Sequence, residues 1–191
     1  MTFRILGVLA IAALTAPLPL HADEVSDALQ AAVDAYASGN LGATASSLTM
    51  AKQALSNQQS ALLAALLPAA PDGWTVTPSE DFTLMFDMMG GGSGAEARYA
   101  NADGSVSFTL SFIADNPMVG SMGAMLGNTQ MMAMMGKVVM VGDQPVLEAD
   151  DSLSTLIAAR VLFQAQGAAT EVMLPVVQLI DFAKVGVFDT R

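Results

Sequence analysis

Between Leu67 and Trp74 the sequence reads LPAAPDGW, and across this short stretch the spacing of the apolar side chains changes from a helical period to a period of two. A chain patterned in both ways must set helices against a sheet, the α+β class. Pro68, Pro71 and Gly73 mark the boundary, because they end a helix and release the backbone into another conformation. Before it, Val25, Leu29, Val33 and Tyr36 recur at helical spacing, SGNLG interrupts the pattern, and Leu41, Leu48, Leu55 and Leu62 then return every seventh residue, followed by Leu66. The expectation is an αα-hairpin over residues 23–67.

After the boundary, Ala95, Ala97 and Tyr99 alternate with Glu96 and Arg98, NADG makes a turn, and Val106, Phe108, Leu110 and Phe112 alternate with Ser107, Thr109 and Ser111. This is a β-hairpin with one buried face. Strands are also expected at Lys137 to Val141, Val146 to Ala149 and Thr155 to Gln166, joined by turns at GDQP and DDS. In the last of these, Ile157, Ala159, Val161, Phe163 and Ala165 would face the core while Arg160 and Gln164 face water. Leu174 to Val185, with Pro175 in its first turn, reads as a terminal amphipathic helix. FTLMFDMM fits a strand or a short helix equally, and GGGSG after it reads as a flexible lid or linker. Residues 68–191 thus form an α+β domain with an antiparallel sheet packed against helices.

The first 22 residues have the layout of a secretory signal peptide: Arg4 as the positive segment, an apolar run from Ile5 to Leu14, and Leu20-His21-Ala22 before Asp23. The apolar run is about ten residues, too short for a helix across a bilayer core of roughly 30 Å. A periplasmic or secreted protein is expected, with no stable membrane insertion after cleavage. Cleavage would remove Arg4 and His21 and take the formal net charge from −11 to −12. That balance argues against nucleic acid, whose phosphates call for clustered Lys and Arg.

Composition narrows the chemistry further. There is no cysteine, and the one histidine lies in the leader, so disulfides, zinc sites, thiol nucleophiles and Ser-His-Asp triads are excluded from the processed chain. Lys52, Lys137 and Lys184 lack an S-x-x-K partner. Asp143, Glu148, Asp150 and Asp151 form the densest acidic group but not a calcium loop. GGGSG lacks the G-K-[ST] of a phosphate loop. The reading is a non-enzymatic protein without a cofactor; a carboxylate-dependent enzyme is the weaker alternative.

The positive signal is methionine. Seven of the chain's 14 methionines fall in NPMVGSMGAMLGNTQMMAMMGK, residues 116–137, where Lys137 alone is charged. Asn116 can cap and Pro117 can start a helix over 117–135, with Met118, Met122, Met125, Leu126 and Met132 on one face and Gly120, Gly123, Ala124 and Gly127 on the other. Methionine adapts to many contact shapes, so Met118, Met122, Met125, Leu126, Met132 and Met135 are candidate partner-binding residues. Alternatively, three thioethers at Met118, Met122 and Met125 could surround one soft ion, Cu(I) or Ag(I). Ordinary core packing is the third reading of the same residues.

Two resemblances accompany these readings. AYASGNLGATASSLTMA is similar to the second half of a tetratricopeptide repeat, with Tyr36, Gly39, Ala45, Leu48 and Ala51 in the matching places, although a single unit is not an array. PDGWTV, the strand GSVSFTLSFIAD, a helix opening at Pro117, then VGDQPVLEADD and a strand leading to a terminal helix, resemble the PsbP and DcrB type of domain over residues 70–188. The resemblance implies an exported binding or assembly module with an α+β sandwich. The partner would be another exported or envelope protein, or a small apolar ligand.

Overall fold

The computed structural model describes residues 23–83, 86 and 90–190, so the leader, FTLMFDMM in most of its length and Arg191 lie outside the described residues. The chain is α+β: two N-terminal helices that pack together, then a seven-stranded antiparallel sheet with helices. It divides into two compact units, residues up to Ala51 and residues from Lys52 onward.

The first unit holds α1 (Glu24–Ala37) and the start of α2 (Leu41–Ala64). Asp23 caps α1, its carboxylate accepting from the Val25 amide at 3.3 Å. SGNLG breaks the helix as expected: Gly39 takes φ +76°, a left-handed conformation that suits glycine, and the Asn40 side chain then accepts from the Ala43 amide to start α2.

In the second unit β1 (Trp74–Pro78), β2 (Ser93–Asn101) and β3 (Ser107–Ala114) come first. Then follow α3 (Pro117–Leu126), α4 (Thr129–Met135), β4 (Lys137–Val141), β5 (Gln144–Ala149), β6 (Ser152–Ile157), β7 (Val161–Gln166), α5 (Thr170–Val177) and α6 (Phe182–Gly186). The strand order is β1-β2-β3-β7-β6-β5-β4, all pairs antiparallel. The path leaves the middle of the sheet after β3, crosses one face as α3 and α4, and returns at the far edge as β4.

The alternation read in β2 and β3 holds. Ala95, Ala97, Tyr99, Phe108, Leu110 and Phe112 are all buried in one cluster with Val161, Phe163 and Ala165 of β7, Leu63 of α2, and Met173, Val177 and Val185 of α5 and α6. Aromatic rings fix the packing: Tyr99 stacks on Phe108 at 5.1 Å, and Phe163 meets Phe182 edge-on at 5.6 Å. The opposite face carries a smaller cluster of Phe86, Ile113, Val119, Leu126, Met132, Leu147, Leu156 and Leu162.

Several expectations are corrected. Thr155 to Gln166 is two strands, because a reverse turn at Ala158 and Ala159, both at positive φ, separates β6 from β7. Ala159 is therefore exposed in a turn instead of facing the core. Leu174 to Val185 is likewise two helices: Pro175 sits inside α5, where it supplies no amide donor, and the helix ends two residues later. The helix expected over 117–135 is divided at Gly127 and Asn128, since Asn128 caps α4 by accepting from the Gln130 amide at 2.9 Å.

Candidate binding surfaces

Large apolar side chains pattern the hairpin, yet among the described residues of the first unit the buried ones are small: Ala32 on α1, Ser47 and Ala51 on α2. The leucine-rich faces of the same helices are left exposed. Leu29, Val33 and Tyr36, at i, i+4 and i+7, share one face of α1 and are all exposed, Val33 to 61% and Tyr36 to 67%. Leu41, Leu48 and Met50 of α2 are exposed as well. In the second unit the same is true of Leu55 and Leu62. The charged residues of α1 are all acidic: Glu24, Asp27 and Asp34.

The methionine segment is split by the fold. Leu126 and Met132, expected on a contact face, are core residues at 3% and 0% exposure, and Met118 and Met122 pack half-buried against the same cluster. Met125 is half-buried and outside that cluster, while Met135 faces solvent together with Met131 and, at 83% exposure, Met134. The six candidate residues therefore do not form one surface. Residues Leu126 and Met132 are corrected to packing, and the outward set, Met131, Met134 and Met135, lies on α4.

A single helical wheel drawn through residues 117–135 does not show this, because the helix is broken at Gly127 and Asn128 and the two pieces do not share one wheel. The glycines are not a tight stripe either. A Cβ at Gly120 would meet nothing within 4 Å, and one at Gly123 would touch Leu156 at an ordinary 3.6 Å. As for a metal, Met118 and Met122 are committed to the apolar cluster with Phe82 and Val138. Among the described residues no group of three His, Cys, Asp or Glu is placed to hold an ion.

GGGSG is fastened and not a free lid. Asn116 donates to the Gly91 carbonyl, Ser56 donates to the Gly92 carbonyl, and the Gly94 amide donates to Ser60 at 3.0 Å. Gly94 is required by space alone, since a Cβ there would come within 2.7 Å of the Phe112 carbonyl and the Phe86 ring.

Arg160, expected in water, is the electrostatic centre of the second unit. It donates to Asp115 at 2.8 and 2.6 Å and to Asp189 at 2.7 and 2.6 Å, and its guanidinium lies 5.1 Å from the Phe188 ring centre. Gln59 also donates to Asp189, at 2.9 Å. Hydrogen bonding from Arg160 holds Asp189 at about 2 and, in return, raises the guanidinium further above its usual range. Asp103 and Asp181 also titrate low, through hydrogen bonds from Ser105 and from Lys184. Each of these shifts keeps a carboxylate ionised, opposite to the upward shift of a general acid.

A concavity of about 780 Å³ opens beside β2, β3, β6 and β7. It is lined by Arg98, Ser107, Thr109, Asp150, Ser152 and Gln166 among others, and Arg98 is engaged there by the Ser107 hydroxyl at 2.8 Å. No helix among the described residues is long and apolar enough to cross a membrane. No family model, no curated protein and no solved structure matches this chain.

Proposed function

We propose that the chain is an exported, non-enzymatic binding or assembly module that uses the outward apolar face of its N-terminal helical hairpin. One observation carries this reading: the hairpin buries alanine and serine and leaves Leu29, Val33, Tyr36, Leu41, Leu48 and Met50 exposed. Leu29, Val33 and Tyr36 share one face of α1, and Leu41 and Leu48, seven residues apart, share one face of α2; each is about half exposed or more, and apolar stripes of this kind on a soluble protein serve an interaction. The occupant is an apolar surface of another exported or envelope protein, or a small apolar ligand. The acidic residues of α1 favour one rimmed by Lys or Arg. The leader-like first 22 residues support the compartment, and the PsbP and DcrB resemblance supports the class.

The test places a photo-crosslinking side chain at Val33 or Leu48 in cells and a control at Gln30, on a polar position of α1. One defined adduct is expected from the first two positions and not from the third. The triple variant Val33→Ser, Tyr36→Ser, Leu48→Ser should lose the adduct while keeping its thermal midpoint, since none of the three is buried. Equal crosslinking from all positions, or full binding by the triple variant, would remove the reading.

A further inference from the structure

We infer that α4 carries a site for one soft monovalent cation, Cu(I) or Ag(I), held by the thioethers of Met131, Met134 and Met135. The site is separate from the hairpin face, and neither proposal depends on the other. The seven residues of α4 read TQMMAMM. Successive residues of a helix stand about 100° apart around its axis, so Met131, Met134 and Met135, at i, i+3 and i+4, fall within an arc of about 100°. Met132 stands about 160° from Met134, and burial agrees with that placement. Met132 is wholly buried in the cluster with Leu147 and Leu156, whereas Met134 is 83% exposed, and Met131 and Met135 are 41% and 44% exposed. Core packing thus accounts for Met132 and leaves three methionines on the solvent side of one short helix.

The donor atoms select the ion. Met131 neighbours both of the others, with Cβ atoms about 5–6 Å from each, and the three rotatable bonds of a methionine side chain let the sulfurs close on one ion from that span. A thioether is soft and uncharged, and such ligands take Cu(I) in preference to magnesium, calcium or manganese, which favour oxygen. No side chain from Asn116 to Gly136 carries charge, and none is His or Cys, so the helix offers a hard cation nothing. The next charge along the chain, Lys137, is held by Glu148 at 2.9 Å. The strong net negative charge of the whole chain favours the approach of a cation. This set takes the place of Met118, Met122 and Met125, whose first two members pack against the core. An apolar contact at α4 would survive replacement of methionine by leucine, and ligation would not.

Ag(I) is the probe, because it keeps one oxidation state in air. Purified protein carrying carbon-13 in its methionine methyl groups, titrated with Ag(I) in chloride-free buffer, should show the signals of Met131, Met134 and Met135 moving together and saturating at one ion per chain. Met134→Leu should weaken binding by at least about tenfold, since loss of even a supporting hydrogen-bond partner costs a metal site that much. The triple variant Met131→Leu, Met134→Leu, Met135→Leu should abolish it. Met50→Leu should change nothing, because Met50 is an exposed methionine of α2 with no second methionine within a helical turn. Leucine matches methionine closely in volume and helix propensity, and an unmoved signal from buried Met132 in the triple variant shows that α4 is still docked. Unchanged Ag(I) affinity in the triple variant would overturn the proposal. So would uptake of several ions per chain with the Met50 signal moving alongside the others, which is indiscriminate binding to exposed sulfur.

Discussion

Arg160 ties three separated stretches of chain to one planar group: Asp115 at the end of β3, Asp189 near the C-terminus and, through Asp189, Gln59 of α2. The guanidinium gives each carboxylate two parallel N–H donors from one rigid plane, a geometry that an ammonium does not reproduce, so Arg160→Lys should cost about 1–2 kcal/mol at neutral pH in urea unfolding. The acid side follows from Asp189, held at about 2 against an ordinary 3.8. Its folded value lies below its unfolded one, so its contribution is complete above roughly pH 4 and is lost as the pH falls towards 2. Solvent around the partly exposed cluster screens the effect to about 1 kcal/mol. Asp189→Asn should flatten the stability profile between pH 4 and 2, and an unaltered slope in that variant would assign the acid sensitivity elsewhere. Tyr99 works on the opposite side of the scale. Burial pushes its phenol up to about 12, and its hydroxyl donates to the Pro68 carbonyl at 2.7 Å, fastening the boundary to the core. Tyr99→Phe should therefore cost about 1 kcal/mol by leaving that carbonyl without its partner.

The tight turn between β6 and β7 places Ala158 at φ 50° and Ala159 at φ 56°, the left-handed region that a two-residue hairpin turn needs and alanine disfavours. Ala158→Asn with Ala159→Gly supplies the residues such a turn prefers and should raise the thermal midpoint by the equivalent of about 1 kcal/mol. No change would mean that packing against Gly186, where a Cβ would stand 3.3 Å from Ala158, already compensates the turn. Glycines divide in the same manner. Gly120→Ala in α3 faces open space and should stabilise by up to about 1 kcal/mol, whereas Gly94→Ala collides with Phe112 and Phe86 and should destabilise by about 2 kcal/mol or more. The turn also explains where sequence reading stopped. β2, β3 and the Asn101 to Gly104 turn were legible because alternation and turn residues agree there. Ala158-Ala159 carries no turn signal, so two strands read as one. Gly127-Asn128 did carry a cap signal, but an unbroken apolar pattern on both sides outweighed it, and the candidate methionine face was drawn through a joint. Arg160 was placed in water because its partners lie far away in the sequence, at residues 115 and 189, which periodicity does not relate.

At the scale of the whole molecule, the two units differ in what they bury. The unit from Lys52 onward has large side chains on both faces of its sheet, whereas the unit ending at Ala51 buries Ala32, Ser47 and Ala51 and leaves its leucines outside. Apolar burial stabilises roughly in proportion to area, so alanine contacts leave a helical pair only marginally ordered. Amide exchange in α1 should accordingly proceed by local opening, at a free energy well below that of β3 and β7, whose amides open with the core. An occupant of Leu29, Val33 and Tyr36 binds the ordered hairpin alone, and at a hundredfold excess over its Kd it adds about 2.7 kcal/mol to that local stability. The expected result is a selective rise in α1 protection on adding the crosslinked partner, with β3 and β7 unchanged. Should α1 in the isolated protein prove as protected as β3, the hairpin is already stable without a cover, and the exposed leucines lose their claim to be a binding face.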